Sequence, residues 1–190
     1  MMTYKNWGAN TIFLIMFLIT IAIPPRVGTA AAQVSEASEP RTVADFLLLV
    51  PERYIGYDLR FREEMLRGEH RGVVVDIRNG YISYDASDNP SGFEFAIFRK
   101  SNGGYIVAYN DTGDDFDREP KVPTLRLLSY EGRRWRDVTK VLLPVALDGK
   151  LGYTLPRTGR NISVTGKGGR ELYTLIWAKD RFRIKRPARS

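Results

Sequence analysis

The stretch from Val73 to Asn110 reads VVVDIRNGYISYDASDNPSGFEFAIFRKSNGGYIVAYN and contains two hairpin signals in succession. Asn79-Gly80 and Asn102-Gly103 each lie between runs of apolar and aromatic residues. Asn-Gly favours a type I′ turn because both central residues of that turn need a positive φ. The stretch therefore predicts two antiparallel hairpins, around which the rest of the chain can be interpreted.

The first hairpin has a register that its apolar pattern supports. A two-residue loop at Asn79-Gly80 places Val75 opposite Tyr84 and Ile77 opposite Ile82. These residues form one apolar face, and the opposite face is polar. A slip by one residue would mix the two faces, so turn and pattern predict the same register.

The second hairpin is predicted in the register that places Phe98 opposite Val107 and Ala96 opposite Tyr109. Its other face still contains Ile97, so that face is only half polar. A face of this kind is expected to be partly covered by another element.

Two short helices are predicted before the strands. Thr42 can cap a helix over the apolar run 43–50, which ends at a proline, and a second helix opens at Asp58 or Arg60 and closes at Gly68. After the hairpins, short strands recur at regular spacing with glycine turns and without crossover helices. The expected fold is α+β, with two short N-terminal helices followed by an antiparallel β-meander of about eight to ten strands.

Two further hairpins are predicted near the C-terminus, one around Gly132 and one at Lys179-Asp180. The second turn places Trp177 opposite Phe182. The residues expected to be largely buried on the apolar faces of the hairpins are Trp135, Trp177, Phe182, Leu175, Ile77 and Phe98.

Arg181, Arg183 and Lys185 occupy the reverse face of the last predicted strand, since side chains alternate along a strand. One interpretation is an anion-binding strip. The other is a charged terminal edge strand that discourages sheet-to-sheet aggregation, and this second interpretation is favoured because edges commonly carry such charges.

An acidic loop, NDTGDDFD from Asn110 to Asp117, follows the second hairpin. Its oxygen donors and flexible glycine suit a hard cation such as calcium, and the loop resembles the calcium loops of FG-GAP-type repeats. A polar turn is the favoured alternative, because the loop is rich in turn-forming residues. The calcium ligands predicted by the first interpretation are Asp111, Asp114, Asp115 and Asp117.

The N-terminus has the layout of a secretory signal peptide. Lys5 supplies the positive region, Ile12–Ile23 the apolar core and Ala30–Ala32 a small-residue cleavage site. An uncleaved membrane anchor is the alternative. The expected organisation is a signal peptide over 1–32, a flexible mature N-terminus over 33–40 and a single α+β domain over 41–190.

The composition excludes several classes of protein. The net charge is +7, and loss of residues 1–32 would remove Lys5 and Arg26 and no acid, which leaves +5. Such a mildly basic chain has no basic stripe of the kind expected of a nucleic-acid binder. The absence of cysteine excludes a thiol nucleophile, a cysteine metal site and a lipoprotein anchor, and favours a bacterial periplasmic or secreted protein over a disulfide-bonded eukaryotic one.

The chemistry of the side chains favours a binding protein over an enzyme. His70 is the single histidine, no nucleophile motif accompanies it, and a solvated loop residue is expected. The expected function is a non-catalytic binding or interaction domain, without a transmembrane span in the mature chain, whose partner is an anionic envelope component or another protein. The alternatives are a carboxylate-dependent hydrolase acting on a glycan and an assembly protein that uses an open sheet edge.

Overall fold

The computed structural model describes residues 39–86, 91–113 and 124–187. They form helices and two antiparallel sheets. The larger sheet has six strands in chain order: β1 (Val73–Asp76), β2 (Tyr81–Asp85), β3 (Gly92–Arg99), β4 (Tyr105–Asp111), β5 (Leu125–Glu131) and β6 (Arg134–Asp137). The smaller sheet has the spatial order β10 (Arg181–Lys185), β9 (Glu171–Ala178), β8 (Asn161–Thr165) and β7 (Gly152–Thr154). The helices are α1 (Val43–Leu49), α2 (Glu52–Ile55), α3 (Leu59–Leu66) and α4 (Thr139–Leu142), with a 3-10 turn over Lys167–Gly169.

The six-stranded sheet is covered on both faces. On one face, Phe46 of α1 and Met65 of α3 belong to the same buried cluster as Phe95 of β3. On the other face, Trp177 of the four-stranded sheet belongs to a second cluster with Phe98. The mixed helix-and-sheet class is therefore confirmed, but the strands form two sheets instead of one meander, and three short helices instead of two precede β1.

The C-terminal end of α1 is closed by a buried arginine from α3. Nη1 of Arg62 donates hydrogen bonds to the carbonyl oxygens of Leu47 and Val50, both at 2.6 Å, and Nε donates to the carbonyl of Asp58 at 2.9 Å. The last carbonyls of a helix have no intrahelical donor, and a cation there also interacts favourably with the helix dipole. The side chain of Arg62 on α3 therefore supplies the hydrogen-bond donors that the carbonyl groups at the end of α1 lack.

The sheet supplies similar donors to α2. The hydroxyl of Tyr109 on β4 donates to the carbonyl of Ile55 at 2.9 Å, and Nη1 of Arg126 on β5 donates to the carbonyl of Tyr54 at 2.9 Å. These bonds hold the helical layer on the sheet at positions where buried backbone oxygens need partners.

The first hairpin differs from its predicted register by two residues. Val75 lies opposite Ile82, whereas the sequence predicted Tyr84 as its partner. A shift of two preserves which side chains share a face, so the apolar pattern gave no warning of the error.

The turn of this hairpin explains the difference. Asp76 accepts hydrogen bonds from the backbone N–H of Asn79 at 3.1 Å and from its Nδ2 at 2.9 Å, which extends the turn to four residues. Gly80 has a φ of 70°, but Asn79 does not share this left-handed conformation, so no type I′ turn forms. Ile77 consequently lies within the turn and is 45% exposed, and its predicted burial is wrong.

The second hairpin differs from its predicted register by one residue. Phe98 lies opposite Ile106 and Ala96 opposite Ala108, instead of the partners one position further along β4. The connection is a five-residue loop, closed where the N–H of Lys100 donates to the carbonyl of Gly104 at 2.8 Å. The predicted covering of its second face is present, because both faces of β3 and β4 are buried.

The last hairpin has the predicted register. Trp177 pairs with Phe182 and Leu175 with Ile184, and both turn residues, Lys179 and Asp180, have positive φ as a type I′ turn requires. Burial of Trp177, Phe182, Leu175 and Phe98 is confirmed. Trp135 is only partly buried, against Tyr130 at a ring-centroid distance of 5.0 Å.

Candidate functional site

The predicted cationic strip lies on the edge strand β10. Arg181, Arg183 and Lys185 are all exposed, while Phe182 between them is buried in the core of the two sheets. Successive side chains alternate across a strand, so the three cations project from one face at intervals of about 7 Å. The structure thus places the three residues together, as the sequence predicted.

Both polar and apolar residues of β8 and β9 lie beside the strip. Arg183 pairs with Ile176 and Lys185 with Thr174, and in β8 the residues opposite Ile176 and Thr174 are Asn161 and Ser163. The alternate residues of these strands are in the core. We call this outward surface of β8, β9 and β10 the cationic face. It combines a row of positive charges with the apolar Ile176 and Ala178 and with hydroxyl and amide groups, of which the Thr174 hydroxyl donates to the carboxylate of Glu171 at 2.7 Å.

The turn before the strip is attached to the larger sheet. The carboxylate of Asp180 accepts hydrogen bonds from the backbone N–H of Ser101, at 2.8 Å, and from its hydroxyl. Hydrogen bonds from Ser101 hold the pKa of the Asp180 carboxyl below its usual value. Asp180 therefore remains charged but is occupied by the loop between β3 and β4, which fixes where β10 begins.

A second polar cluster lies between the sheets and was not predicted. Oε2 of Glu94 on β3 accepts hydrogen bonds from the backbone N–H of Leu155, at 2.8 Å, and from Nδ2 of Asn110, at 3.1 Å. Oε1 accepts a hydrogen bond from the hydroxyl of Tyr81 at 3.2 Å. The amide of Asn110 also donates to the carbonyl of Tyr153 at 2.6 Å. An acid between phenylalanines in a strand with two apolar faces was the available sequence signal.

The hydrogen bonds of Glu94 indicate a structural role. Tyr81 and Asn110 belong to the larger sheet and Leu155 follows β7 of the smaller one, so the carboxylate joins the two layers. Burial raises the pKa of Glu94, and the hydrogen bonds from Leu155, Asn110 and Tyr81 oppose this effect. A glycosidase needs two carboxylates that flank a cleft, and the donors described around Glu94 are all uncharged.

We expect the Glu94→Gln variant to gain stability relative to the parent as the pH rises from about 4 to about 7. The folded protein holds the proton of Glu94 more tightly than the unfolded chain, so this contribution is full below the ordinary pKa of 4.5 and is lost as the pH rises through the raised pKa. Urea unfolding at several pH values measures the difference.

Glu131→Gln is the matched control, because Lys100 lowers the pKa of Glu131 at the exposed end of β5. Its pH trend should have the opposite sign. A difference between Glu94→Gln and the parent that does not change with pH would contradict the raised pKa.

The predicted calcium ligands lie mostly outside the described residues. Asp114, Asp115 and Asp117 are not described, and Asp111 accepts a hydrogen bond from the backbone N–H of Gly113 at 3.0 Å. Over residues 39–86, 91–113 and 124–187 no group of three or more histidine, cysteine or acidic side chains could hold a metal ion. Calcium binding by this loop stays a prediction.

His70 lies in the loop before β1 as expected, but its side chain is partly buried instead of fully solvated. Its ring packs on Phe61 at a centroid distance of 4.6 Å and on Tyr84 at 6.2 Å. Nε2 lies 3.4 Å from a carboxylate oxygen of Glu64 and makes no hydrogen bond of good geometry. The ring contributes to the aromatic packing beneath α3.

In the part of the chain that the structure describes, no helix has the length and apolar character needed to cross a membrane. Comparisons of the chain with protein-family models, with curated proteins and with solved structures found no match in any of the three.

Proposed function

We propose that the protein is a non-catalytic binding domain whose cationic face binds an acidic glycan of the cell envelope. The observation that supports this is the exposed row of Arg181, Arg183 and Lys185 beside outward hydroxyl and amide groups. Regularly spaced cations suit the repeated charges of a polyanion, and the polar groups can hydrogen-bond sugar hydroxyls. Arginine also offers paired donors that match a carboxylate.

The test of this proposal is the triple variant Arg181→Ser, Arg183→Ser, Lys185→Ser. It should lose roughly tenfold or more in affinity for an acidic polysaccharide, because three exposed charge contacts of up to about 1 kcal/mol each are removed. Binding of the parent should also weaken with salt, since exposed charges are screened over about 10 Å at 0.1 M.

The edge strand β6 provides a matched control. Arg134 and Arg136 on β6 and Arg133 in the turn before it are exposed cations of the other sheet, and their triple serine variant removes the same charge. This control should bind like the parent. Equal losses in both variants would indicate a response to net charge alone, and unchanged binding with faster aggregation of the first variant would establish the strip as an edge guard.

A carboxylate-dependent hydrolase acting on a glycan is the second candidate, and the raised pKa of Glu94 is the observation that favours it. A carboxyl group whose pKa is raised by burial holds its proton more tightly, as a general acid must. Release of new reducing ends from a glycan by the parent, but not by Glu94→Gln, would replace the binding proposal. We expect no release from either.

We further propose that the protein is exported and cleaved after Ala32. The support is the sequence layout of the leader, since residues 1–38 lie outside the described part of the chain. N-terminal sequencing of the protein from the periplasm or culture medium should begin at Gln33. A product that retains Ile12–Ile23 would reject the proposal.

A further inference from the structure

The chain contains two Asn-Gly pairs, Asn79-Gly80 and Asn102-Gly103, and both can undergo the same intramolecular reaction. The backbone nitrogen of the glycine attacks Cγ of the asparagine, the Cγ–Nδ2 bond breaks, and ammonia leaves with the proton of the glycine N–H. Water then opens the succinimide ring at either carbonyl and gives aspartate or isoaspartate. Asparagine is a thermolabile residue, and glycine permits the close approach because it has no side chain.

The backbone nitrogen of Gly80 is held away from this reaction. Gly80 is buried against β3, and a Cβ at this position would lie 2.6 Å from Cγ1 of Ile97. The N–H of Gly80 donates to the carbonyl of Ile77 at 3.2 Å, and its carbonyl accepts from the N–H of Ile97 at 3.0 Å. Attack on the Asn79 side chain therefore requires this packing to open first.

The side chain of Asn79 is held as well. Its Nδ2, which would have to leave as ammonia, donates to the Asp76 carboxylate at 2.9 Å. Hydrogen bonds from Asn79, with a further one from Arg157, keep the pKa of Asp76 below its usual value, so this carboxylate is charged at neutral pH. Attack on Cγ would build negative charge on the Asn79 amide beside that carboxylate, which is unfavourable.

The surroundings of Asn102-Gly103 are different. Both residues are exposed, and a Cβ on Gly103 would meet open space among the described residues. The N–H of Gly103 donates to the carbonyl of Lys100 at 3.1 Å, so one hydrogen bond has to break, as at Gly80. The N–H of Gly104 donates to Oδ1 of Asn102 at 3.1 Å. Negative charge develops on this oxygen during the attack, and a backbone donor aimed at it stabilises the intermediate, as in an oxyanion hole.

We propose that Asn102 is a site of spontaneous deamidation through a succinimide with Gly103, and that the turn of the first hairpin protects Asn79. Conversion at position 102 adds a negative charge, and isoaspartate also adds an atom to the backbone. Both changes fall in the loop whose Ser101 binds Asp180 and thereby fixes where β10 begins. The reaction needs only water and does not depend on glycan binding.

Ageing of the full chain in mildly alkaline buffer, followed by proteolysis and mass spectrometry, tests the proposal. Alkaline pH favours loss of the proton from the attacking glycine nitrogen. Isoaspartate and aspartate should accumulate at position 102 about tenfold faster or more than at position 79, since a single donor to a developing oxyanion can change a rate by about a hundredfold. Asn102→Gln, which would need a larger ring, should lose the modification and leave Asn79 unchanged.

The same chain unfolded in guanidinium chloride is the control. Neither Asn-Gly pair keeps its folded contacts there, so the two pairs should react at similar rates. Equal rates at the two sites of the folded chain, a faster reaction at Asn79, or no isoaspartate at position 102 would overturn the proposal. A preference for Asn102 that persists in denaturant would assign the difference to the neighbouring sequence and would overturn the protection of Asn79 by the fold.

Discussion

Replacing Trp177 with alanine is expected to lower the free energy of unfolding by about 3–5 kcal/mol. Trp177 is buried where the two sheets meet, with ring-centroid distances of 5.7 Å to Phe98 and 5.0 Å to Phe182. Its Nε1 donates a hydrogen bond to the carbonyl of Arg99 at 3.0 Å. The substitution therefore leaves a cavity and an unpaired carbonyl together, and urea unfolding measures the loss.

Trp135 provides the comparison for this measurement. It is partly buried on β6, so Trp135→Ala should cost clearly less than Trp177→Ala. Trp177→Phe keeps much of the ring volume but removes the Nε1 donor, and should have an intermediate effect. A change below about 1 kcal/mol for Trp177→Ala would contradict the burial of this side chain between the sheets.

Replacing Arg62 with methionine is expected to lower the free energy of unfolding by about 2–4 kcal/mol. Methionine matches much of the aliphatic stem but supplies no donor for the carbonyls of Leu47 and Val50. Each buried oxygen without a partner costs about 1–3 kcal/mol, and part of this cost is recovered where water can enter. Thermal and urea unfolding both report the change.

Arg60 on the same helix is the control. It is exposed and pairs with Glu64 at 2.7 Å, and exposed pairs of this spacing contribute about 0.3–0.5 kcal/mol. Arg60→Met should therefore have little effect, whereas Arg62→Lys should recover part of the loss through its single ammonium group. Equal effects at positions 60 and 62 would show that the capping bonds are not important for stability.

The register of a hairpin was predictable where apolar and charged residues alternate along its strand. The hairpin at Lys179-Asp180 was predicted in the correct register because Trp177 and Phe182 are apolar partners, while β10 alternates strictly between apolar and cationic residues. The positions of Arg181 and its neighbours on the cationic face followed from the same alternation.

The register of β3 against β4 could not be predicted from alternation of apolar and polar residues. Both faces of β3 and β4 are buried, so apolar residues occur at consecutive positions and a one-residue slip keeps each face apolar. The predicted register of the first hairpin was wrong for a different reason. The hydrogen bonds from Asn79 to Asp76 stabilise a longer turn than Asn-Gly alone predicts.

Side-chain contacts between residues far apart in the chain could not be predicted from the sequence either. Arg62 caps a helix fifteen residues earlier in the chain, and Glu94 accepts a bond from Leu155, sixty-one residues later. Neither spacing belongs to a local motif. The division of the strands into two sheets depends equally on such contacts, because the chain after α4 has the same hairpin signals as the chain before it.

Ala96 pairs directly with Ala108, and this pair of small side chains helps to fix the register of β3 against β4. Both methyl groups face the four-stranded sheet, whereas Val107 and Tyr109 face the helices. A slip by one position would bring the tyrosine and the valine into the space that the two alanines leave for the second sheet. Side-chain volume, instead of polarity, thus distinguishes the observed register from the slipped one. In a close-packed interior, overpacking is destabilising, as a cavity is. The two alanines thereby determine how closely the four-stranded sheet can approach the middle of the six-stranded sheet.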